Sequence, residues 1–190
     1  MSKLLEKVVV SQLMSHLNRH NLFSSFQSAY QPGHSTETAL LKVVNDLLAI
    51  DEGKLSVLVL LDLSAAFDTI DHDILLHRLQ HVFGIQGTVL SWFRSYLTKR
   101  FQIVSTQGTH SKQIEVCCGV PQGSVLGPIL FILYTQPLTS FILKHPVSHM
   151  LYADDTQVYK LFDLDDCLSS ILCVNQCTTN INCLYSKINQ

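Results

Sequence analysis

Charge is scarce in this sequence, and its scarcity excludes several classes of protein. Only 15% of the 190 residues are charged and 47% are hydrophobic, which excludes intrinsic disorder and predicts a packed globule. Lys and Arg number 13 against 15 Asp and Glu, so the formal net charge is −2 and gives no bulk attraction to nucleic acid. Any surface that binds nucleic acid must be a local positive patch or lie outside this sequence.

Paired cysteine motifs and an apolar leader are also lacking. None of the six cysteines forms a CxxC pair and no cationic apolar segment opens the chain, so neither a disulfide framework nor secretion is expected. Cys173 and Cys177 lie one helical turn apart, a spacing that can seat a metal, but burial as small hydrophobes is the expected role. The compartment, nuclear or cytoplasmic, is left open.

One long uncharged segment, residues 125–143, raises the alternative of a small membrane protein. Gly127, Pro128 and Pro137 interrupt it, and it lacks the basic flank that would orient a membrane span. A buried amphipathic helix that ends at Pro137 is therefore predicted, without a membrane partner. Partitioning with detergent would distinguish the two interpretations.

Hydrophobic spacing predicts a mixture of helices and strands. Residues 55–63 form a continuous aliphatic run with β-branched members, which is typical of a fully buried strand. Two hairpins are expected, one joining residues 101–104 to 113–117 and one joining residues 149–152 to 156–161. Helices are predicted over residues 1–22, 35–50, 71 onward, 88–97, 124–138 and the tail after residue 167.

Three carboxylates stand beside apolar strands. Asp62 ends the strand over residues 55–63, and Asp154 and Asp155 occupy the tip of the second hairpin. Such carboxylates are costly unless positive charge compensates them, and oxygen-rich sites suit Mg²⁺ or Mn²⁺. Carboxylates from separate strands can hold two ions, the arrangement used in phosphoryl transfer, although an exposed acidic turn is the alternative. The remaining acidic groups of these regions are expected to cap helices or to be solvated: Asp68, Asp71, Asp73, Asp163, Asp165 and Asp166.

Four segments, taken in order, resemble the motifs of reverse transcriptases. Residues 60–68 (LLDLSAAFD), 120–128 (VPQGSVLGP) and 152–155 (YADD) resemble the three palm motifs of that family. Residues 26–48, around the sequence HSTETAL, resemble the fingers motif of its LINE-type, non-LTR retrotransposon branch. Each motif alone is a weak signal, but four in the family's order make a strong one.

The resemblance implies that Asp62, Asp154 and Asp155 are the catalytic and metal-binding residues. They would hold two Mg²⁺ or Mn²⁺ ions, and the main-chain oxygen of Leu63 would add a contact near the nucleotide. The implied activity is that of an RNA-directed DNA polymerase, in which a primer 3′-hydroxyl attacks the α-phosphate of a dNTP. The implied partners are an RNA template, a DNA primer and dNTP, and the oligomeric state is left open.

The resemblance also implies a nucleotide-binding role for Phe67, Gln122 and Gly123. Phe67 matches the position at which a large ring excludes a ribose 2′-hydroxyl, with ordinary core packing as the alternative. Gln122 and Gly123 match the loop that touches the nascent base pair, where a missing side chain lets backbone approach the nucleotide. A plain turn that starts a helix is the alternative for this loop.

Departures from the family pattern limit the expected activity. Gln31 stands where the family has an arginine that would grip the triphosphate, so weaker nucleotide affinity is expected. Residues 167–190 match the family poorly, and residue 1 falls within the fingers. A truncated fragment without independent activity is therefore expected. A non-catalytic, retrotransposon-derived binding module and a metal-dependent nuclease are the alternatives, although Phe67 and Gln122 have no use in a nuclease.

The predicted fold class is α+β, a right-hand polymerase palm with a small antiparallel sheet backed by helices. The predicted divisions are a partial fingers region over residues 1–55, a palm over residues 56–166 and a degenerate C-terminal helix over residues 167–190. All three are expected to form one compact unit, with no thumb.

Overall fold

The computed structural model describes residues 2–48, 54–63 and 65–188. The predicted end of the second helix, at residues 49–50, lies outside them. Contacts divide the chain into two compact units, here called unit 1 (Met1–Leu22 and Ala65–Tyr134) and unit 2 (Phe23–Ser64 and Thr135–Gln190). This division cuts across the fingers, palm and tail boundaries drawn from the motifs, which stay a prediction.

Helices and short strands alternate along the described chain. The helices are α1 (Ser2–Arg19), α2 (Thr36–Leu48), α3 (His72–His81), α4 (Gly87–Leu97), α5 (Gly127–Thr135), α6 (Pro137–Ile142) and α7 (Cys167–Ile188), with a 3-10 turn at Leu164–Asp166 before α7. The strands are β1 (Leu55–Leu61), β2 (Arg100–Gln102), β3 (Ser105–Thr106), β4 (Thr109–His110), β5 (Ile114–Val116), β6 (Ser148–Tyr152) and β7 (Asp155–Phe162). This mixture, with small antiparallel sheets, confirms the predicted α+β class.

Unit 1 combines helices with a double hairpin. Asp71 caps α3 because its carboxylate accepts a hydrogen bond of 2.8 Å from the amide of Ile74, as its place at the head of the helix predicts. Apolar faces of α3, α4 and α5 bury Leu79, Phe93 and Phe131 almost completely. The predicted first hairpin is present, with β2 paired to β5 and the shorter β3–β4 pair beyond it.

Unit 2 is built on a three-stranded antiparallel sheet in the order β1–β7–β6. Helices α6 and α7 cover one face, where Val158, Val174 and Ile181 form a core with less than 2% of each side chain exposed. Helix α2 covers part of the other face and packs Val43 against Tyr159. The segment before α2 continues the sheet, because Gln27 bridges Leu151 of β6 in a parallel sense.

Two expectations about burial and helix ends are wrong in part. Strand β1 is not fully buried, since Leu58 is 42% exposed and Leu60 is 68% exposed, whereas alternate residues pack into the core. A continuous aliphatic run cannot reveal that only one face of a strand is covered. The helix predicted from residue 124 begins at Gly127 and ends at Thr135, and after Gln136 a second helix, α6, begins at Pro137. Among the residues described, none of the helices has the length and apolar character needed to cross a bilayer.

Candidate active site

The acidic turn lies in unit 2, between β6 and β7. Tyr152 pairs with Asp155, so only Ala153 and Asp154 form the turn. Ala153 has a φ of 54°, in the left-handed region that residues with a Cβ seldom adopt. A two-residue turn of this hand matches the twist of an antiparallel pair, and it places Asp154 and Asp155 at the end of the sheet.

Asp62 lies at the same end of the sheet as this turn. Leu61, the last residue of β1, pairs with Thr156 of β7. Because the strands are antiparallel, Asp62, which follows Leu61, lies next to Asp155, which precedes Thr156. The pKa of Asp155 is raised by its partial burial and then by the negative charges of Asp154 and Asp62. The fold therefore brings the three predicted carboxylates into one electrostatic neighbourhood.

These three side chains are not gathered into a closed ligand cluster. Within residues 2–48, 54–63 and 65–188, no three His, Cys, Asp or Glu side chains are grouped closely enough to hold a metal ion. The chemistry of the donor set nevertheless fits a hard divalent cation, since carboxylate oxygens are its preferred ligands and their mutual repulsion is what a cation would relieve. Asp62 and Asp155 are exposed, which leaves their side chains room to rotate.

Tyr30 is a neighbour of the acidic turn that the sequence did not reveal. The pKa of Tyr30 is raised by burial and then by the charge of Asp154, which places the phenol near that carboxylate. Tyr30 has a φ of 57°, and the neighbouring Gln31 donates a hydrogen bond of 2.7 Å to the carbonyl of Gln27. Gln31 therefore has a main-chain partner within its own segment. Leu63 follows Asp62 and is half-buried.

The loop that carries Gln122 and Gly123 belongs to unit 1. The Gln122 amide donates to both carboxylate oxygens of Asp68, at 3.4 and 3.3 Å. The amide of Val120 donates to the carbonyl of Phe67 at 3.0 Å, so the first and second palm motifs are joined at this point. Phe67 is half-buried, and its ring centroid lies 5.0 Å from that of Phe131. This contact is what the alternative role of Phe67, ordinary core packing, predicts.

Gly119 fixes the start of the same loop. Its carbonyl accepts hydrogen bonds from His72 Nε2 at 2.8 Å and from the guanidinium of Arg100 at 3.0 Å. Arg100, Asp68 and Gln122 line a cavity of about 690 Å³ beside the loop. Positive charge, a carboxylate and amide groups therefore meet at the place where the motif predicts contact with a nucleotide.

Glu6 holds the end of this loop, although nothing in its local sequence predicts it. Among the residues described it is the one buried acidic side chain, 6% exposed. Its Oε2 accepts hydrogen bonds from the amides of Val125 at 2.6 Å and Leu126 at 3.3 Å, just before α5. Those amides would otherwise lack partners at a helix N-terminus, where a carboxylate also complements the dipole. The contact joins residues 119 positions apart, so only tertiary structure reveals it.

Comparison with known sequences assigns the chain to a family. The sequence model described as reverse transcriptase (RNA-dependent DNA polymerase) matches residues 1–183. The chain therefore belongs to the reverse transcriptase family, as its motifs predicted.

Its relatives identify the branch. The chain is 31% identical over 165 residues to the RNA-directed DNA polymerase from mobile element jockey of Drosophila melanogaster, covering 83% of this chain and 18% of that protein. It is 28% identical over 124 residues to a Pol polyprotein from retrotransposable element R2 of Popillia japonica, covering 60% and 20% respectively. The predicted non-LTR branch is confirmed. The chain spans about a fifth of the length of these relatives.

Solved structures support the fold. An apo telomerase from Candida tropicalis, truncated from its C-terminal domain, matches with a TM-score of 0.63 at 16% identity. The match covers 94% of this chain and 37% of that one. At this level of identity the likeness concerns the fold, and it agrees with the palm predicted from the three motifs.

Proposed function

We propose that this chain is the catalytic core of an RNA-directed DNA polymerase, with Asp62, Asp154 and Asp155 as the residues that hold two divalent cations. The observation that carries the proposal is the convergence of Asp62 and Asp155 at the ends of neighbouring strands, with Asp154 in the adjoining turn. Reverse transcriptases as a family use divalent metal ions and bind an RNA template. We further propose that the primer is DNA and that the incoming nucleotide is a dNTP.

The proposed reaction joins a dNTP to a primer. The primer 3′-hydroxyl loses its proton to water and attacks the α-phosphate in line. A P–O bond to the primer oxygen forms, the bond from the α-phosphorus to the bridging oxygen breaks, and pyrophosphate leaves. When bound, the cations would activate the hydroxyl and stabilise the leaving group. In unit 2, the carboxylates of Asp62, Asp154 and Asp155 would hold the cations. In unit 1, Gln122 and Gly123 would present backbone to the nascent base pair, and the Phe67 ring would exclude a 2′-hydroxyl. Positioning and charge stabilisation, with little other chemistry, are what phosphoryl transfer requires of a protein.

Arg100 supports nucleotide binding in unit 1. Gln31 brings no charge to a triphosphate, whereas the Arg100 guanidinium lines the same cavity as Gln122. Arginine recognises phosphate through several N–H groups held in a plane. Arg100 therefore supplies positive charge where the resemblance predicts the nucleotide.

A second candidate function is a non-catalytic binding module that has kept the fold. The observation that favours it is that no three potential ligand side chains are grouped for a metal in the described part of the chain. The two candidates differ in metal affinity, since a module without chemistry has no reason to bind Mn²⁺ through Asp154.

The test makes the same substitution, Asp to Asn, at two positions of unit 2. Mn²⁺ binding to the purified chain is measured by electron paramagnetic resonance for the unaltered protein, Asp154→Asn and Asp165→Asn. Asp165 is an exposed residue of the 3-10 turn and serves as the matched control. We expect Asp154→Asn to weaken Mn²⁺ binding by more than about tenfold, because it removes a ligand, while Asp165→Asn leaves it unchanged.

Equal Mn²⁺ affinities in the two variants would exclude the proposed site. A primer-extension assay with an RNA template and Mg²⁺ runs in parallel. Templated extension by the unaltered chain that Asp154→Asn abolishes would show that the chain needs no further segment for activity, contrary to the expectation from its motifs.

A further inference from the structure

Gln27 is a buried side chain that neither the motifs nor the proposed reaction uses. It is 5% exposed and lies beside β6, where the amide of Leu151 donates to the carbonyl of Phe26 at 2.8 Å. The amide of Ser28 returns a hydrogen bond of 3.0 Å to the carbonyl of Leu151. These two backbone hydrogen bonds fix the register of Gln27 against β6, the strand that leads into the acidic turn.

The Gln27 side chain binds both main-chain polar groups of Ala153. Its Oε1 accepts hydrogen bonds from the amide of Ala153 at 3.1 Å and from the amide of Ala29 at 2.9 Å. Its Nε2 donates to the Ala153 carbonyl at 3.4 Å. The two N–H donors around Oε1 also determine which end of the amide is oxygen, because the reversed orientation would set N–H against N–H.

Ala153 is the residue of the turn that most needs such support. Its left-handed φ of 54° is disfavoured for a residue with a Cβ, and such a conformation persists only where the surroundings impose it. Ala153 is 8% exposed, so its N–H and C=O would be costly to leave unpaired. Gln27 pairs with both groups from a segment 126 residues away.

We propose that Gln27 is a positioning residue that holds Ala153 in its left-handed conformation and thereby directs Asp154 and Asp155 toward Asp62. It touches no reacting atom. The value of this position for metal binding rests on the proposed function, whereas the hold on the turn can be measured by itself.

The test uses Gln27→Met, which keeps the length of the side chain and removes its hydrogen bonds. The matched control is Gln157→Met on β7, because Gln157 Oε1 is buried without a hydrogen-bond partner in the part of the chain that the structure describes. Hydrogen–deuterium exchange of the Ala153 amide should become at least about tenfold faster in Gln27→Met, as loss of a buried hydrogen bond predicts. Gln157→Met should leave it unchanged.

A second pair of variants separates positioning from general stability. Glycine adopts the left-handed conformation without steric cost, so Ala153→Gly should reduce the stability lost through Gln27→Met in a double-mutant cycle. A side chain that merely fills the core would give additive effects. Gln27→Glu keeps the acceptor for the Ala153 amide and, with its carboxyl protonated, can also donate to the Ala153 carbonyl, so it should retain slow exchange at Ala153. Additive effects, or unchanged exchange in Gln27→Met, would overturn the proposal.

Mn²⁺ affinity, measured on the same variants, separates this inference from the proposed function. We expect Gln27→Met to weaken Mn²⁺ binding by about tenfold, since each tenfold loss corresponds to a modest free-energy change. If the unaltered chain binds no Mn²⁺ while Ala153 exchange responds as expected, the proposed function fails and the hold of Gln27 on the turn stands. If Mn²⁺ binds normally and exchange does not respond, the inference about Gln27 fails alone.

Discussion

Two reversals of the chain carry or adjoin four of the predicted site residues, and they reach a left-handed backbone by different means. The loop of unit 1 places glycine at its left-handed positions, Gly119 with a φ of 78° and Gly123 with a φ of 71°. The turn of unit 2 places Ala153 there instead. At Gly119 a Cβ would meet the backbone of Asp68 at 3.0 Å, whereas Ala153 keeps its Cβ and is held by Gln27. Glycine is required where two backbones touch, and hydrogen bonding can substitute for it elsewhere.

Gly119→Ala should show most clearly that the loop of unit 1 requires glycine where the turn of unit 2 does not. The new Cβ would lie 3.0 Å from the Cα and carbonyl oxygen of Asp68 and 3.1 Å from the carbonyl oxygen of Phe67, in a conformation already strained for alanine. We expect the free energy of unfolding to fall by about 4 kcal/mol, measured by urea denaturation.

Gly123→Ala is the matched control for that substitution. Its φ is also left-handed, but nothing lies within 4 Å of a Cβ built there. It should cost only about 1 kcal/mol, the conformational part alone. Equal losses in the two variants would show that close approach at Gly119 does not matter.

The stability of the chain should depend on pH, because β6, the strand that leads into the turn of unit 2, carries the buried His149. Burial and then the charge of Lys42 lower the pKa of His149 from 6.5 to about 4, and its ring stacks on Phe26 with centroids 4.3 Å apart. The unfolded chain therefore takes up a proton below pH 6.5 that the folded chain takes up only near pH 4. Stability is complete above pH 6.5 and falls as the pH drops to 4, by about 2 to 3 kcal/mol.

This predicted loss of stability can be measured by urea denaturation of the unaltered chain and of His149→Phe, each at pH 7 and at pH 4. The phenyl ring can keep the stack on Phe26 and carries no titratable group. Subtracting the two pH dependences isolates His149 from the other titrating residues. A pH dependence of equal size in both proteins would assign the effect to another group.

Ala153→Gly should have the smallest effect and the opposite sign to Gly119→Ala. Glycine relieves the strain at a φ of 54°, while it also adds conformational freedom to the unfolded chain. We expect the free energy of unfolding to rise by about 0.5 kcal/mol, measured by thermal unfolding of both proteins. A loss of more than about 1 kcal/mol would mean that the Cβ of Ala153 makes a packing contact that outweighs the strain.

Local signals in the sequence predicted the local parts of this structure. The cap of α3 at Asp71 and the tight turn at Asp154 each depend on residues a few positions apart, and both are present. The convergence of Asp62 with the acidic turn was predicted through resemblance and agrees with the β1–β7 register. The role of Asp62 in metal binding stays a prediction.

The residues that support the site could not be predicted in this way. Gln27 and Glu6 act on main-chain groups more than 100 positions away, and neither stands in a pattern that distinguishes it from a surface residue. Their partners are defined only when the sheet and the helices have come together. The exposure of one face of β1 could not be predicted for a similar reason, because an aliphatic run has the same sequence pattern whether one or both faces of the strand are covered.

The exposed leucines of β1 have a practical consequence for the isolated chain. In the sheet described, β1 is an outer strand bonded to β7 on one side, and Leu58 and Leu60 face outward along it. An apolar outer strand is a template on which a second molecule can add its own strand. We therefore expect molecules in concentrated solution to associate edge to edge through β1, and a Lys substitution at Leu60 to weaken that association.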